Sequence, residues 1–246
     1  MKKIKFLVII CFLIICMIGI VYSGYHIITW KKNVDTNSKI KEEIKDSIKV
    51  KKEEEEDKYI IDFSKLKEQN PDTVAYINVP NTNIEYIVVR GSDNSYYLKH
   101  NFYKEYNIAG WIFSDYKNKF DGTDKNIVIF GHDTKDGSMF ETLKNTLKED
   151  WYNNSNNHIL TLVTEQGTYY YQVFSNYVTI PEDYYINTEF SSEEEYLNFL
   201  KEIKSRSIYD YGIELNQNDT ILTLSTCTAG GSKRVVLHAK KIEILN

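Results

Sequence analysis

Apolar positions fall into three regimes along the chain. Phe6–Ile28 is an unbroken run of 23 residues without a formal charge, long enough to cross a bilayer as a helix. Residues 31–58 are strongly polar, and only Ile40, Ile44 and Ile48 stand out, four apart, as a narrow stripe on one side of a helix. That stripe fits either a solvated spacer helix or a helix laid on a folded domain. From Tyr59 onward short apolar runs alternate with turn chemistry. Asp62 or Ser64 caps a short helix that ends at Asn70, before Pro71. Val74–Val79 and Ile84–Val89 read as strands around the turn Pro80-Asn81-Thr82-Asn83. Gly91–Asn94 turns into a short helix near Tyr96–Asn101. Gly110–Phe113 is a short strand, Tyr116–Lys125 a polar loop, and Asn126–Phe130 a buried strand. Ser138 is expected to cap a helix over Met139–Leu147, with a second short helix through Trp151. His158–Glu165 and Thr168–Thr179 flank Gln166-Gly167 as a hairpin. Ser191 or Ser192 and the acids after it start a helix through Ser205, with Tyr196, Phe199, Leu200 and Ile203 on one face. Ile221–Leu224 and Val235–Ala239 are the last strands.

About eight strands, mostly antiparallel and with helices between them, predict a mainly β domain closed or nearly closed into a barrel. The chain therefore divides into an N-terminal signal-anchor at 1–30, a charged and partly helical stalk at 31–58, and a folded domain at 59–246. Lys2, Lys3 and Lys5 precede the apolar run and Lys31 and Lys32 follow it, a balance that favours the N-terminus inside and the domain outside. Tyr25 and Trp30 suit the interface belt. Tyr22-Ser23-Gly24-Tyr25-His26 makes a poor cleavage site, so an uncleaved single-pass anchor through residues 6–28 is expected.

Charge narrows the partners. Residues 59–246 hold 18 basic and 26 acidic side chains, which argues against nucleic acid. No glycine-rich phosphate loop, Cys/His metal spacing or acidic calcium loop is present, so neither cofactor nor metal is expected.

Cys11 and Cys16 lie in the apolar run, leaving Cys227 alone in the domain with no partner there for a disulfide. It ends the run Thr223-Leu224-Ser225-Thr226-Cys227, and Arg234 follows seven residues later on the next strand. A cysteine attacks only as the thiolate and needs positive charge nearby, which an arginine supplies permanently together with a planar fork of donors. A buried, inert cysteine is the competing reading, since free cysteine is among the most buried residue types. A histidine would complete an acyl-transfer site, and Gly131-His132 follows the strand Asn126–Phe130. In that scheme Cys227 is the nucleophile and His132 the general acid, then base. Arg234 positions substrate or stabilises the oxyanion. His100, His158 and His238 read as structural or solvated, although His238 could face either side of its strand.

Leu224-Ser225-Thr226-Cys227 with a following Arg234, and an upstream His132, resembles the signature of sortases. Three further stretches are similar to class B sortases. These are Asp93–His100 followed by Gly110–Asp115, Gly131-His132 followed by Ser138-Met139-Phe140, and the long helix Ser192–Ser205 before the cysteine strand. The N-terminal anchor and the lack of a C-terminal membrane segment agree. The resemblance implies an eight-stranded barrel with N-terminal helices. It implies cleavage of a C-terminal sorting motif after Thr, then transfer of the surface protein to a peptidoglycan amine. It also implies that Asn94, Leu98, Tyr185, Ile186 and Ser225 line the peptide groove. The connection Thr228–Lys233 is shorter than in some class B members and carries Ala229 where those have an acid; its glycines suggest mobility. The alternatives are a pilin-type sortase, whose aromatic-acid lid is not evident here, a hydrolytic cysteine protease, and a non-enzymatic anchored binding domain.

Overall fold

The computed structural model describes residues 2–52, 57–227 and 232–243. Helix α1 (Lys2–Ile44) runs unbroken through the apolar segment and the first half of the stalk. Its first part is long and apolar enough to cross a membrane, and side chains such as Phe6, Ile14 and Ile28 are exposed. Its last turns are different. Val34, Asn37, Ile40 and Ile44 are buried, and Ile40 and Ile44 belong to the same hydrophobic cluster as the barrel interior. Of the two readings of the isoleucine stripe, packing on the domain is the one the structure holds. Ile48 does not continue the helix. A 3-10 turn at Lys45–Ser47 leads into β1 (Ile48–Lys52), which pairs antiparallel with β2 (Asp57–Ile61), Ile48 opposite Ile61. The acidic run Glu53–Glu56 lies outside the described residues.

Helix α2 (Phe63–Gln69) starts as the sequence predicts, with Asp62 accepting from the Lys65 amide. Then come β3 (Thr73–Asn78), β4 (Glu85–Val89), β5 (Phe113–Ser114) and β6 (Asn126–His132). After the short helix α3 (Glu149–Tyr152) follow β7 (Ile159–Thr164) and β8 (Gly167–Thr179). Helix α4 (Glu193–Ser205), capped by Ser192, precedes β9 (Ile221–Cys227) and β10 (Arg234–Ile242). The eight strands from β3 on close a barrel in the order β10-β8-β7-β3-β4-β5-β6-β9.

The pairing follows from the apolar pattern. Pairs β3–β4 and β7–β8 are antiparallel hairpins, and β10 runs antiparallel to both β8 and β9. Strand β6 is apolar without alternation from Ile127 to Phe130, the mark of a strand buried on both faces, whereas β9 alternates Leu222 and Leu224 with Thr223 and Ser225. They pair parallel, Asn126 opposite Ile221 through His132 opposite Cys227. The barrel interior is filled by the main cluster, including Ile77, Val88, Ile129, Leu162 and Leu224. A second cluster, with Phe174, Tyr196, Leu200, Ile203 and Val236, seats α4 on the outside.

Three local expectations need correction. The segment after Ser138 is a 3-10 helix at Glu141–Leu147, not an α-helix from Met139. Met139 has φ +53 and gives its amide to the Tyr86 hydroxyl, while the Ser138 hydroxyl turns to Asp136, so no cap forms. The short strand expected at Gly110–Phe113 is Phe113–Ser114, because Gly110 has φ +61 and the Trp111 amide bonds the Tyr97 carbonyl. The helix expected at Tyr96–Asn101 is a 3-10 turn at Tyr96–Leu98.

Candidate active site

Three neighbouring strands bring the three chemical candidates to one end of the barrel. His132 ends β6 and pairs with Cys227, which ends β9. Adjacent strands lie about 4.8 Å apart, so these two backbones are direct neighbours. On the other side of β9, Val236 of β10 pairs with Ser225. Arg234 and Cys227 therefore each lie two residues further toward the same end. The Thr226 hydroxyl accepts from the Val235 amide (2.9 Å) and ties the two strand ends together. The side chain of Cys227, with the loop 228–231 that includes Ala229, lies outside the described atoms.

The His132 ring is fixed from below. Its Nε2 is 2.8 Å from the Leu98 carbonyl. A carbonyl only accepts, so Nε2 carries the proton in that bond. Gly131 could not carry a side chain, since a Cβ would come within 2.5 Å of both Ile112 and the Phe140 ring. Gly110 is equally constrained: besides its positive φ, a Cβ there would lie 2.5 Å from the Tyr97 carbonyl and 2.8 Å from Cδ2 of His132. The Phe140 amide donates to the His132 carbonyl (2.9 Å), which closes the loop after β6.

Beside Arg234 opens a cavity of about 250 Å³. Its described lining includes Asn94, Tyr185, Ile186, Ser225 and Arg234, together with the acids Glu182 and Asp183. Four of the five expected groove residues thus meet in one cavity with Arg234. Leu98 is not in that lining. Its half-buried side chain packs against the main cluster, and its carbonyl serves His132. The cavity wall is held by polar bonds. The Tyr185 and Ser225 hydroxyls are 3.1 Å apart, Asn94 Nδ2 donates to the buried Asp115 carboxylate (2.7 Å), and Asn94 Oδ1 accepts from the Tyr116 amide. Asp115 was not singled out from sequence, although it closes the stretch Gly110–Asp115 that carries the class B resemblance.

The remaining histidines stand apart from this end. His100 stacks on Tyr96 at 4.0 Å and His158 on Tyr152. His238 lies on the face of β10 that the second cluster and α4 cover, wholly buried between Thr223 and Tyr177 and stacked on Phe174. Among the described residues no group of His, Cys, Asp and Glu could hold a metal ion.

A closed eight-stranded barrel, with a histidine and a cysteine paired at the end of two parallel strands and an arginine on the next, defines an acyl-transfer enzyme of the thiol type. The Sortase domain profile matches residues 77–242. Sortase B of Staphylococcus aureus is 35% identical over 185 residues, covering 74% of this chain and 75% of that protein. The crystal structure of sortase B from Bacillus anthracis in complex with AAEK1 superposes with a TM-score of 0.76 at 33% identity, over 87% of this chain and 99% of that one. A Staphylococcus aureus sortase B–substrate complex gives a TM-score of 0.70 at 34% identity, over 74% and 85%. The chain belongs to the sortase family, in class B, and is a cysteine transpeptidase.

Proposed function

We propose that Cys227 is the nucleophile of this transpeptidase, His132 its general acid and base, and Arg234 the cation that positions the substrate carbonyl. The observation that carries the assignment is the pairing of His132 with Cys227 across β6 and β9, with Arg234 lining the adjoining cavity. The Cys227 thiolate adds to the Thr carbonyl of a C-terminal sorting motif. The amide C–N bond breaks, the leaving amine takes a proton from His132, and a thioester remains. An amine of a cell-wall precursor then attacks, gives its proton to His132 and releases Cys227 as thiolate. With Nε2–H committed to the Leu98 carbonyl, Nδ1 is the nitrogen that exchanges the proton. Arg234 hydrogen-bonds the developing oxyanion, a contact typically worth ~3–4 kcal/mol. Asn94, Tyr185, Ile186 and Ser225 receive the motif, and Leu98 contributes through its backbone.

The protein acts at the cell surface as a single-pass membrane enzyme. Residues 1–30 are the anchor, 31–58 the stalk and 59–246 the catalytic domain, which faces outward. The Staphylococcus aureus relative, solved as a substrate complex, supports a peptide donor. The full chain in nanodiscs, given a quenched x-Pro-x-Thr-x peptide library with and without triglycine, tests the reading. Cleavage after Thr with a product joined to triglycine is expected, and Cys227→Ala abolishes it. Release to water alone, whether or not triglycine is present, would make the protein a protease. No turnover by folded protein would leave the assignment without support.

A further inference from the structure

We infer that Asn37, on the part of α1 that follows the apolar run, is a positioning residue for His132. The inference rests on the reading of His132 as the proton-transfer group. Asn37 is 3% exposed, and both ends of its amide are engaged. Its Nδ2 donates to the Gly110 carbonyl (2.9 Å), and its Oδ1 accepts from Asn107 Nδ2 (2.9 Å). One turn earlier, Asn33 repeats the device: its carbonyl accepts from Asn107 Nδ2 (2.9 Å) and its Oδ1 from the Ile108 amide (3.1 Å). Two asparagines of α1 therefore grip the loop 107–110 from a distance of more than 70 residues in sequence.

That loop is the floor under the His132 ring. The Cβ position of Gly110 is filled by three neighbours: the Tyr97 carbonyl at 2.5 Å, His132 Cδ2 at 2.8 Å and the Leu98 carbonyl at 3.0 Å. The Leu98 carbonyl is the acceptor that fixes His132 Nε2. A contact chain thus runs from the Asn37 amide to the Gly110 carbonyl, to the Gly110 Cα and to the edge of the ring. Losing the Asn37 donor leaves the buried Gly110 carbonyl unsatisfied, and the loop must shift to find water. A shift of about 1 Å at a proton-transfer group costs on the order of 10²-fold in rate.

The test uses the full chain in nanodiscs, with a quenched peptide that the parent cleaves and triglycine as acceptor. Asn37→Asp keeps the size and the acceptor for Asn107 but removes the donor to Gly110. It is expected to lower kcat at least tenfold with KM within threefold, and to move the pH–rate limb that His132 governs. Ile40→Ala, on the same helix and against the main cluster, loosens docking without touching these hydrogen bonds. It is expected to lower Tm and leave kcat and the limb in place. Should the carboxylate prevent folding, Asn37→Ser, too short to reach Gly110, takes its place with the same expectation. Parental kcat and pH limb in the Asn37 variant, or a change matched by Ile40→Ala, would overturn the inference. His132→Gln with parental turnover would instead remove the reading beneath it, whatever Asn37 does.

Discussion

Two histidines on barrel strands have opposite surroundings. His132 ends β6 at the open end of the barrel, half-buried, with Nε2 given to a backbone carbonyl. His238 lies in the middle of β10 with no exposed surface; Nδ1 is 2.9 Å from the Thr223 hydroxyl and Nε2 is 3.0 Å from that of Tyr177. The Tyr177 hydroxyl is reached in turn by that of Tyr184 (3.0 Å), and Thr223 donates to Asn126 (2.7 Å). Burial pushes the His238 pKa down to about 3, so it stays neutral throughout the working range. An imidazole with both nitrogens tied to hydroxyls, out of reach of solvent, is a strut between β6, β8, β9 and β10. His132, half-buried at the end of β6 and paired with the end of the strand that carries Cys227, has the setting that the proposed proton exchange requires. Environment separates the two roles, since the residue type is the same.

The largest effect that sharpens this contrast is on rate. His132→Gln is expected to lower kcat/KM by ~10³-fold in the peptide–triglycine assay while Tm stays within a few degrees. His238→Gln should do the reverse, and a comparable rate loss there would break the distinction. Next comes the floor of the site. Gly110→Ala forces a side chain onto a φ of +61 and into the Tyr97 carbonyl. A loss of about 2 kcal/mol in denaturant unfolding is expected, together with slower turnover.

A pH experiment probes the strut itself. The folded pKa of His238 lies below its ordinary 6.5, so the unfolded chain binds the extra proton as pH falls. The stabilisation is complete above about 6.5 and is lost progressively toward pH 3. Between pH 7 and pH 5 unfolding free energy should fall by about 2 kcal/mol from this group. His238→Gln should flatten the pH dependence of the melting curve by that amount; an unchanged slope would show that the imidazole is not held neutral. The smallest expected effect is that of Tyr177→Phe, about 1–2 kcal/mol from the hydroxyl's two buried hydrogen bonds, with His238 and Tyr184, with no change in kcat.

Much of the barrel was legible because its strands are short apolar runs bounded by turn residues. The runs Asn126–Phe130 and Ile221–Leu224 were legible as strands, but that they pair parallel and so set His132 beside Cys227 was not. The polar ends of the chain were less legible. Asn33, Asn37 and Asn107 look like solvated residues in sequence, since what makes them structural is a partner 70 or more residues away. Ile48 fits a helical stripe by spacing, yet pairs with Ile61 in a β-ribbon. The face His238 takes, toward α4, was undecided because a bulge shifts the β8–β10 register at that residue, and alternation does not carry through it. The tether of His132 is a main-chain oxygen of Leu98, which no pattern of side chains could reveal. Conversely, Tyr185 and Ser225 were expected in one groove by resemblance, and their hydroxyls meet at 3.1 Å.

The unbroken course of α1 also fixes a length. Nine residues separate Ile28 from Asn37, a rise of about 14 Å along the axis. A disordered tether of the 26 residues from Asn33 to Lys58 would let the barrel roam with a root-mean-square reach of roughly 28 Å. With residues 6–28 held in a bilayer, a rigid mast replaces that cloud by one altitude. The catalytic end then sweeps a thin shell parallel to the surface, and scissile bonds and amines presented at that altitude meet it at a raised local concentration, while those displayed farther out pass above it.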